Sequence, residues 1–208
     1  MSALREALAR CPLVAILRGI APDEAVPVAR ALHEAGFAVV EVPLNSPEPF
    51  DSIARIVAAL GDEMLVGAGT VMTPAEVERI AAAGGRLIVM PHFDTEVVAA
   101  AKGRGLACAP GVATPSEAFA ALKAGADALK LFPAQALPPS VLSAWGAVLP
   151  AGTLTMPVGG VHAGNLAAYW DAGARGFGIG SNLYKPGKSV AEVAATAAEL
   201  VDAIRSLG

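Results

Sequence analysis

The sequence predicts a single domain over residues 1–208, of the α/β class and folded as a (β/α)8 barrel. Three observations carry that expectation. Eight short runs are apolar on both faces, as strands of a covered parallel sheet must be. Helical patterns separate the runs, so strand and helix alternate about every 25 residues, within the reach of one βα unit. No dinucleotide-binding glycine fingerprint follows the first run, which leaves an open doubly wound sheet as the lesser alternative.

The elements follow in order along the chain. Leu13–Leu17 is the first run, and Pro22-Asp23-Glu24 then opens a helix with negative charge near its N-terminus. Ala35-Gly36-Phe37 turns the chain into the second run, which ends at Pro43, and Leu65–Ala68 forms the third. Thr73-Pro74-Ala75-Glu76 reads as a capping box: Thr73 caps, Pro74 takes the first helical position and Glu76 reaches back. Ala83-Gly84-Gly85 leads into Leu87–Pro91, and Arg104-Gly105 into Leu106–Gly111. A second capping box, Thr114-Pro115-Ser116-Glu117, precedes the sixth run, Ala126–Pro133. Leu154–Val158 is the seventh run, and Ala172-Gly173-Ala174 leads into the eighth, Gly176–Gly180. Gly36, Gly125 and Gly173 stand where helices stop. Trp145, Tyr169 and Trp170 read as helix packing.

Composition narrows the function. The chain is 54% hydrophobic, 16% charged and only 5% aromatic, so a large core is built mainly from Ala, Val, Leu and Ile. A net charge of −4 without a basic run argues against nucleic acid or an anionic membrane as partner. Leu131–Trp170 carries no Asp, Glu, Lys or Arg, but Pro133, Pro138, Pro139, Pro150 and Pro157 interrupt it. No stretch reaches the roughly 18 apolar residues of a membrane span. Met1–Arg10 lacks the apolar core of a secretory signal. Cys11 and Cys108 fit no disulfide or metal pattern, which suits a reducing cytoplasm. His33, His92 and His162 are too dispersed for a metal motif, so neither metal nor cofactor is expected. His33 reads as a plain helix residue, whereas His92 and His162 fall at strand ends, in substrate contact or in a solvated loop.

The chemistry should gather at the carboxyl ends of the strands. Those ends carry Arg18, Glu41 with Asn45, Thr70, His92, Lys130 with Phe132, Gly159-Gly160 and Gly180-Ser181. Lys130 sits in an apolar run, where period-2 alternation puts Ala128, Lys130 and Phe132 on one face. An ammonium there is costly unless its pKa falls, and a neutral lysine is a nucleophile toward carbonyls. Glu41, also alone among apolar residues, pairs with it as a general acid/base, or forms a structural ion pair with Lys130 or Arg18. The glycine pairs after the seventh and eighth runs suit a phosphate, because backbone N–H groups can approach an anion there; alternatively they are only tight turns. Arg18 suits a substrate carboxylate or phosphate, or a salt bridge.

These motifs together resemble the 2-keto-3-deoxy-6-phosphogluconate (KDPG) aldolase family. The resemblance rests on Ala15-Ile16-Leu17-Arg18-Gly19, Glu41-Val42-Pro43-Leu44-Asn45-Ser46, Gly67-Ala68-Gly69-Thr70-Val71, Ala128-Leu129-Lys130-Leu131-Phe132-Pro133 and Gly159-Gly160-Val161, nearly end to end. It implies a metal-free Schiff-base aldolase on a (β/α)8 barrel, commonly a homotrimer. By motif match Lys130 would form the imine and Glu41 would be the acid/base. Arg18 and Thr70 would hold the pyruvate-derived or hydroxylated part, Gly159, Gly160, Gly180 and Ser181 the phosphate, and Phe132 would pack beside them. Asn45 stands where gluconate-type members carry arginine, which resembles the galactonate branch. The implied reaction cleaves 2-dehydro-3-deoxy-6-phospho-D-galactonate to pyruvate and D-glyceraldehyde 3-phosphate. The gluconate epimer or 4-hydroxy-2-oxoglutarate is the alternative substrate, and an imine-free, phosphate-binding isomerase the alternative chemistry. His162 departs from the Thr or Asn expected after the glycine pair.

Overall fold

The computed structural model describes residues 2–207; Met1 and Gly208, the ends of the expected domain, lie outside the described residues. The chain begins with α1 (Ala3–Arg10), β1 (Leu13–Ile16), α2 (Pro22–Ala35), β2 (Val39–Pro43), α3 (Pro49–Leu60) and β3 (Leu65–Gly69). It continues with α4 (Pro74–Ala82), β4 (Leu87–Val89), α5 (Thr95–Gly103), β5 (Ala107–Ala109), β6 (Gly111–Val112) and α6 (Pro115–Lys123). Then come β7 (Leu129–Leu131), a 3-10 turn at Ala134–Ala136, α7 (Pro139–Gly146), β8 (Thr155–Pro157), α8 (Ala163–Asp171), β9 (Phe177–Ile179) and α9 (Val190–Arg205).

The strands form a six-stranded sheet in the order β5-β4-β3-β2-β1-β9 and a three-stranded sheet in the order β6-β7-β8. Every pairing is parallel. Sequence neighbours lie side by side, and the last strand lies against the first. The reversal of order that defines a doubly wound sheet is missing from this arrangement. A parallel bridge between Val158 and Gly178 brings the two sheets together beyond β8.

The fifth run differs from expectation. Leu106–Gly111 is not one strand, because Pro110 has no N–H to give a ladder. Ala107–Ala109 therefore pairs with β4, while Gly111–Val112 pairs with β7. The Pro110 carbonyl is still used, accepting from the Lys130 amide at 2.9 Å.

Both faces of the strands are covered, and every strand residue is buried. The buried apolar side chains form one connected core. Both expected capping boxes are present, at Thr73–Glu76 and Thr114–Glu117. Ser189–Glu192 adds another ahead of α9, and Ser2 caps α1. Gly36, Gly125 and Gly173 all take positive φ at helix ends, where a left-handed residue lets the chain turn back. No helix among the described residues is long and apolar enough to cross a membrane.

The loops that enter the strands are stapled by arginines. Arg5 donates to the Gly152 carbonyl at 2.8 Å and Arg10 to that of Glu63 at 3.3 Å. Arg86 donates to Gly61 and Met64. Arg175 donates to Trp170 and Ala174 at 2.9 and 2.7 Å while lying 4.4 Å over the Trp170 ring. Helix ends leave carbonyls without intrahelical partners, and guanidinium groups satisfy several at once. Arg175→Ala should lose ~1–2 kcal/mol, from partly exposed hydrogen bonds and one cation–π contact. Urea denaturation measures it; an unchanged midpoint would show that water replaces the staple without loss.

Candidate active site

Glu41 and Lys130 enter the interior from strands of different sheets. Glu41 sits on β2, paired by register with Ile16 on one side and Gly67 on the other. Lys130 sits on β7, paired with Gly111 and Met156. Alternation turns both side chains away from the helices, and both are buried, at 1% and 5% exposure. Gly69 makes room for the carboxylate: a Cβ there would lie 2.1 Å from Glu41 Oε2. The next residue, Thr70, has φ +59°. A β-branched residue seldom occupies that region, and holding it there costs of order 1–3 kcal/mol.

Burial sets the protonation of the pair. It holds the Lys130 amine below the ordinary lysine range; the Glu41 charge opposes this and the Arg18 charge adds to it. Burial lifts the Glu41 carboxyl to about 7, while the charges of Lys130 and Arg18 pull it back. Arg18 thus acts electrostatically on both groups. Among the described residues Glu41 and Lys130 form no ion pair within 4.0 Å, and Glu41 Oε2 has no hydrogen-bond partner. The structural ion pair considered from sequence is therefore not formed. Burial moves the amine toward its free form, which attacks carbonyls, and leaves near neutral pH a carboxyl group able to hold or release a proton.

A cavity of about 480 Å3 opens beside the pair. Arg18 and Gly19 line it from the loop after β1, and Gly159, Gly160 and Val161 from the loop after β8. Gly180, Ser181 and residues as far as Pro186 line it from the loop after β9. Phe132, whose ring centre is 4.7 Å from Lys130 Nζ, joins the lysine to the cavity. Of the residues expected from sequence, Arg18, Phe132, Gly159, Gly160, Gly180 and Ser181 line this cavity, whereas Lys130, Glu41, Asn45 and Thr70 do not. Asn45 is nonetheless tied to it, since its Oδ1 accepts from Arg18 Nη1 at 2.6 Å. Ser46, buried next to Asn45, accepts from the Gly19 amide at 2.9 Å and so joins the β1 and β2 loops.

Gln135, Val158, Tyr184 and Lys185 also line the cavity, and the sequence reading passed over them. Val158 directly precedes Gly159 and Gln135 follows Pro133 by two residues, whereas Tyr184 and Lys185 lie four and five residues beyond Gly180, deeper in the loop than the strand-end motif reached. Gln135 packs so closely on the β8 loop that a Cβ at Gly159, φ +112°, would lie 2.4 Å from its Oε1. The Tyr169 hydroxyl, 3.0 and 3.2 Å from the carbonyls of Ala134 and Leu137, holds the turn that carries Gln135. Tyr169 and Trp145 are buried in helix packing, and Trp170 stacks on Phe177.

The histidines lie outside the cavity lining. His162 caps α8: its Nδ1 accepts from the Gly164 amide at 3.2 Å while Asn165 accepts from the His162 amide. A ring nitrogen thus takes the acceptor role of a hydroxyl or amide cap. His33 pairs with Glu63 at 2.6 Å. His92 keeps a buried Nδ1 without a partner among the described residues. Those residues contain no group of three His, Cys, Asp or Glu placed to hold a metal ion.

Parallel strands that deliver a buried amine and a buried carboxylic acid near a cavity of small-molecule size supply the groups that amine-based carbonyl chemistry requires. A family model described as KDPG and KHG aldolase matches residues 4–197, and the chain belongs to that family of aldolases. It is 50% identical over 196 residues to the 2-dehydro-3-deoxy-6-phosphogalactonate aldolase of Escherichia coli (strain K12), covering 94% of this chain and 96% of that one. A solved structure described as native KDPGal superposes with a TM-score of 0.94 at 49% identity, over 95% of this chain and 96% of the other. The KDPG aldolase of Legionella pneumophila, solved with pyruvate captured as a covalent carbinolamine intermediate, superposes at 0.82 with 26% identity. That match covers 100% of this chain and 98% of the other.

The Glu41 carboxyl keeps its proton to about pH 7 in the fold but only to about 4.5 in the unfolded chain. Between those values the folded state binds more protons, so this group lowers stability as pH rises. The difference is worth ~3 kcal/mol. Glu41→Gln lacks the titration, so its stability relative to wild type should rise by that amount from pH 4.5 to above pH 7. Urea melts across that range test it, and a constant gap between the two proteins would refute the buried-acid assignment.

Proposed function

We propose that the chain is a Schiff-base aldolase that cleaves 2-dehydro-3-deoxy-6-phospho-D-galactonate to pyruvate and D-glyceraldehyde 3-phosphate. The observation that carries this reading is the buried Lys130 amine, driven toward its neutral form close to a buried carboxyl that titrates near neutrality. The Lys130 amine adds to the C2 ketone to give a carbinolamine, and Glu41 shuttles the proton that lets water leave, forming an iminium. Glu41 then takes the proton of the C4 hydroxyl. The C3–C4 bond breaks, its electron pair flows to the iminium nitrogen, and the aldehyde departs. Glu41 returns the proton to C3 of the enamine, and hydrolysis of the resulting iminium releases pyruvate and the free amine.

The remaining residues position the substrate. Arg18 and Thr70 hold the pyruvate-derived or hydroxylated part, with Phe132 packed beside the imine. Asn45, bonded to Arg18, is the residue assigned to the hydroxyl that distinguishes the galactonate and gluconate epimers. Gly159, Gly160, Gly180 and Ser181 cradle the phosphate, since all four line the cavity and the first two adopt positive φ. The two sheets close as one (β/α)8 barrel and a single domain, a reading supported by the continuous chain through Pro110 and the Val158–Gly178 bridge. Two buried free thiols, Cys11 and Cys108, suit the cytoplasm. A homotrimer is the assembly that the family resemblance implies, and sedimentation as a stable monomer would refute it.

Borohydride reduction in the presence of pyruvate, followed by peptide mapping, should place a stable adduct on Lys130. Lys130→Met should lower kcat on the order of 10^4-fold or more, as loss of a nucleophile does. Activity surviving that substitution would end the imine mechanism. In parallel, kcat/KM should favour the galactonate epimer over the gluconate one. The reverse preference would overturn the role given to Asn45.

A further inference from the structure

We propose that Lys185, on the loop between β9 and α9, is the residue through which the cavity selects phosphorylated over unphosphorylated substrates. The inference rests on the reading above that a phosphate enters this cavity. Two of the residues lining the cavity, Arg18 and Lys185, are cations, and none is an acid. Arg18 is already engaged, bonded to Asn45 and acting on Glu41 and Lys130. Lys185 forms no ion pair among the described residues. It therefore lines the same cavity as the glycine loops with its charge uncommitted.

The loop around Lys185 is braced on four sides. Asn182 donates to the Val161 carbonyl of the β8 loop at 2.8 Å. The hydroxyl of buried Tyr184 reaches Glu24 of α2 at 3.3 Å. Pro186 lies against Gly19 so closely that a Cβ there would be 2.8 Å from its ring. Lys188 is spent within the loop and α9, donating to the Leu183 carbonyl and Thr196 Oγ1, each at 2.8 Å. Of the two lysines in this loop, Lys188 holds its shape and Lys185 belongs to the cavity lining. Glycine amides and the Ser181 hydroxyl recognise the shape of a phosphate as neutral donors. A cation adds a full opposite charge to those donors, and an ammonium does so as a point charge without a fixed bonding plane.

The test compares wild type, Lys185→Met and Lys185→Arg on the phosphorylated substrate and on the same 2-keto-3-deoxy acid without phosphate. Lys185 is exposed on its loop, so both variants should fold. Lys185→Met should lose about 10- to 100-fold in kcat/KM on the phosphorylated substrate, mainly through KM, the scale of a lost charge-assisted contact. It should change less than about threefold on the unphosphorylated acid, and Lys185→Arg should restore most of the loss. Equal losses on both substrates, or no loss on either, would overturn the proposal. Calorimetric binding of inorganic phosphate gives an independent reading: Lys185→Met should bind it more weakly than wild type, and equal affinity would refute the role of Lys185. If pyruvate leaves no adduct on Lys130 while phosphate affinity still depends on Lys185, the aldolase reading fails and the phosphate site stands.

Discussion

Desolvation of two opposite charges that do not touch is the constraint around which the structure is arranged. A lysine and a glutamate buried together ordinarily form a close ion pair, and each then keeps its charge. Here Glu41 and Lys130 lie in the same interior without an ion-pair contact, and one carboxylate oxygen lacks any hydrogen bond. Burial dominates, and it moves both groups toward neutrality. The same interior requires space beside the carboxylate, which Gly69 leaves, and a strained turn immediately after it, which Thr70 accepts.

The two ends of the strands meet opposite demands. At the entering ends, arginines close loop carbonyls into a stapled surface, with Arg175 also covering Trp170. At the leaving ends, glycines with positive φ and a strained threonine keep the backbone close to open space. Groups satisfied internally stabilise the first end. Groups left ready for a ligand characterise the second, where parallel α/β folds generally bind their substrates.

Support reaches the cavity through residues that do not line its chemistry. Tyr169 holds the turn that presses Gln135 onto the β8 loop, and Ser46 joins the β1 and β2 loops through the Gly19 amide. His162 shows how one residue type replaces another when the physical task is unchanged: a helix start needs an acceptor, and an imidazole nitrogen supplies it. This capping role accounts for the histidine after the glycine pair.

Much of this was legible in the chain alone. Short apolar runs, capping boxes and helix-ending glycines are local signals, governed by the conformational preferences of a few neighbouring residues. They located the strands and the awkward charges of Lys130 and Glu41. The break at Pro110 was also local, yet its consequence was not: which sheet each half joins depends on the partners offered by β4 and β7. Likewise, no spacing rule places Lys185 on the same cavity as Gly159, or Gln135 against that glycine, because their approach follows from loop bracing across distant strands. The sequence by itself determined the elements and the residue types able to do the chemistry. Only the tertiary structure decided that Glu41 and Lys130 are buried without pairing, since desolvation is a property of everything that surrounds a charge.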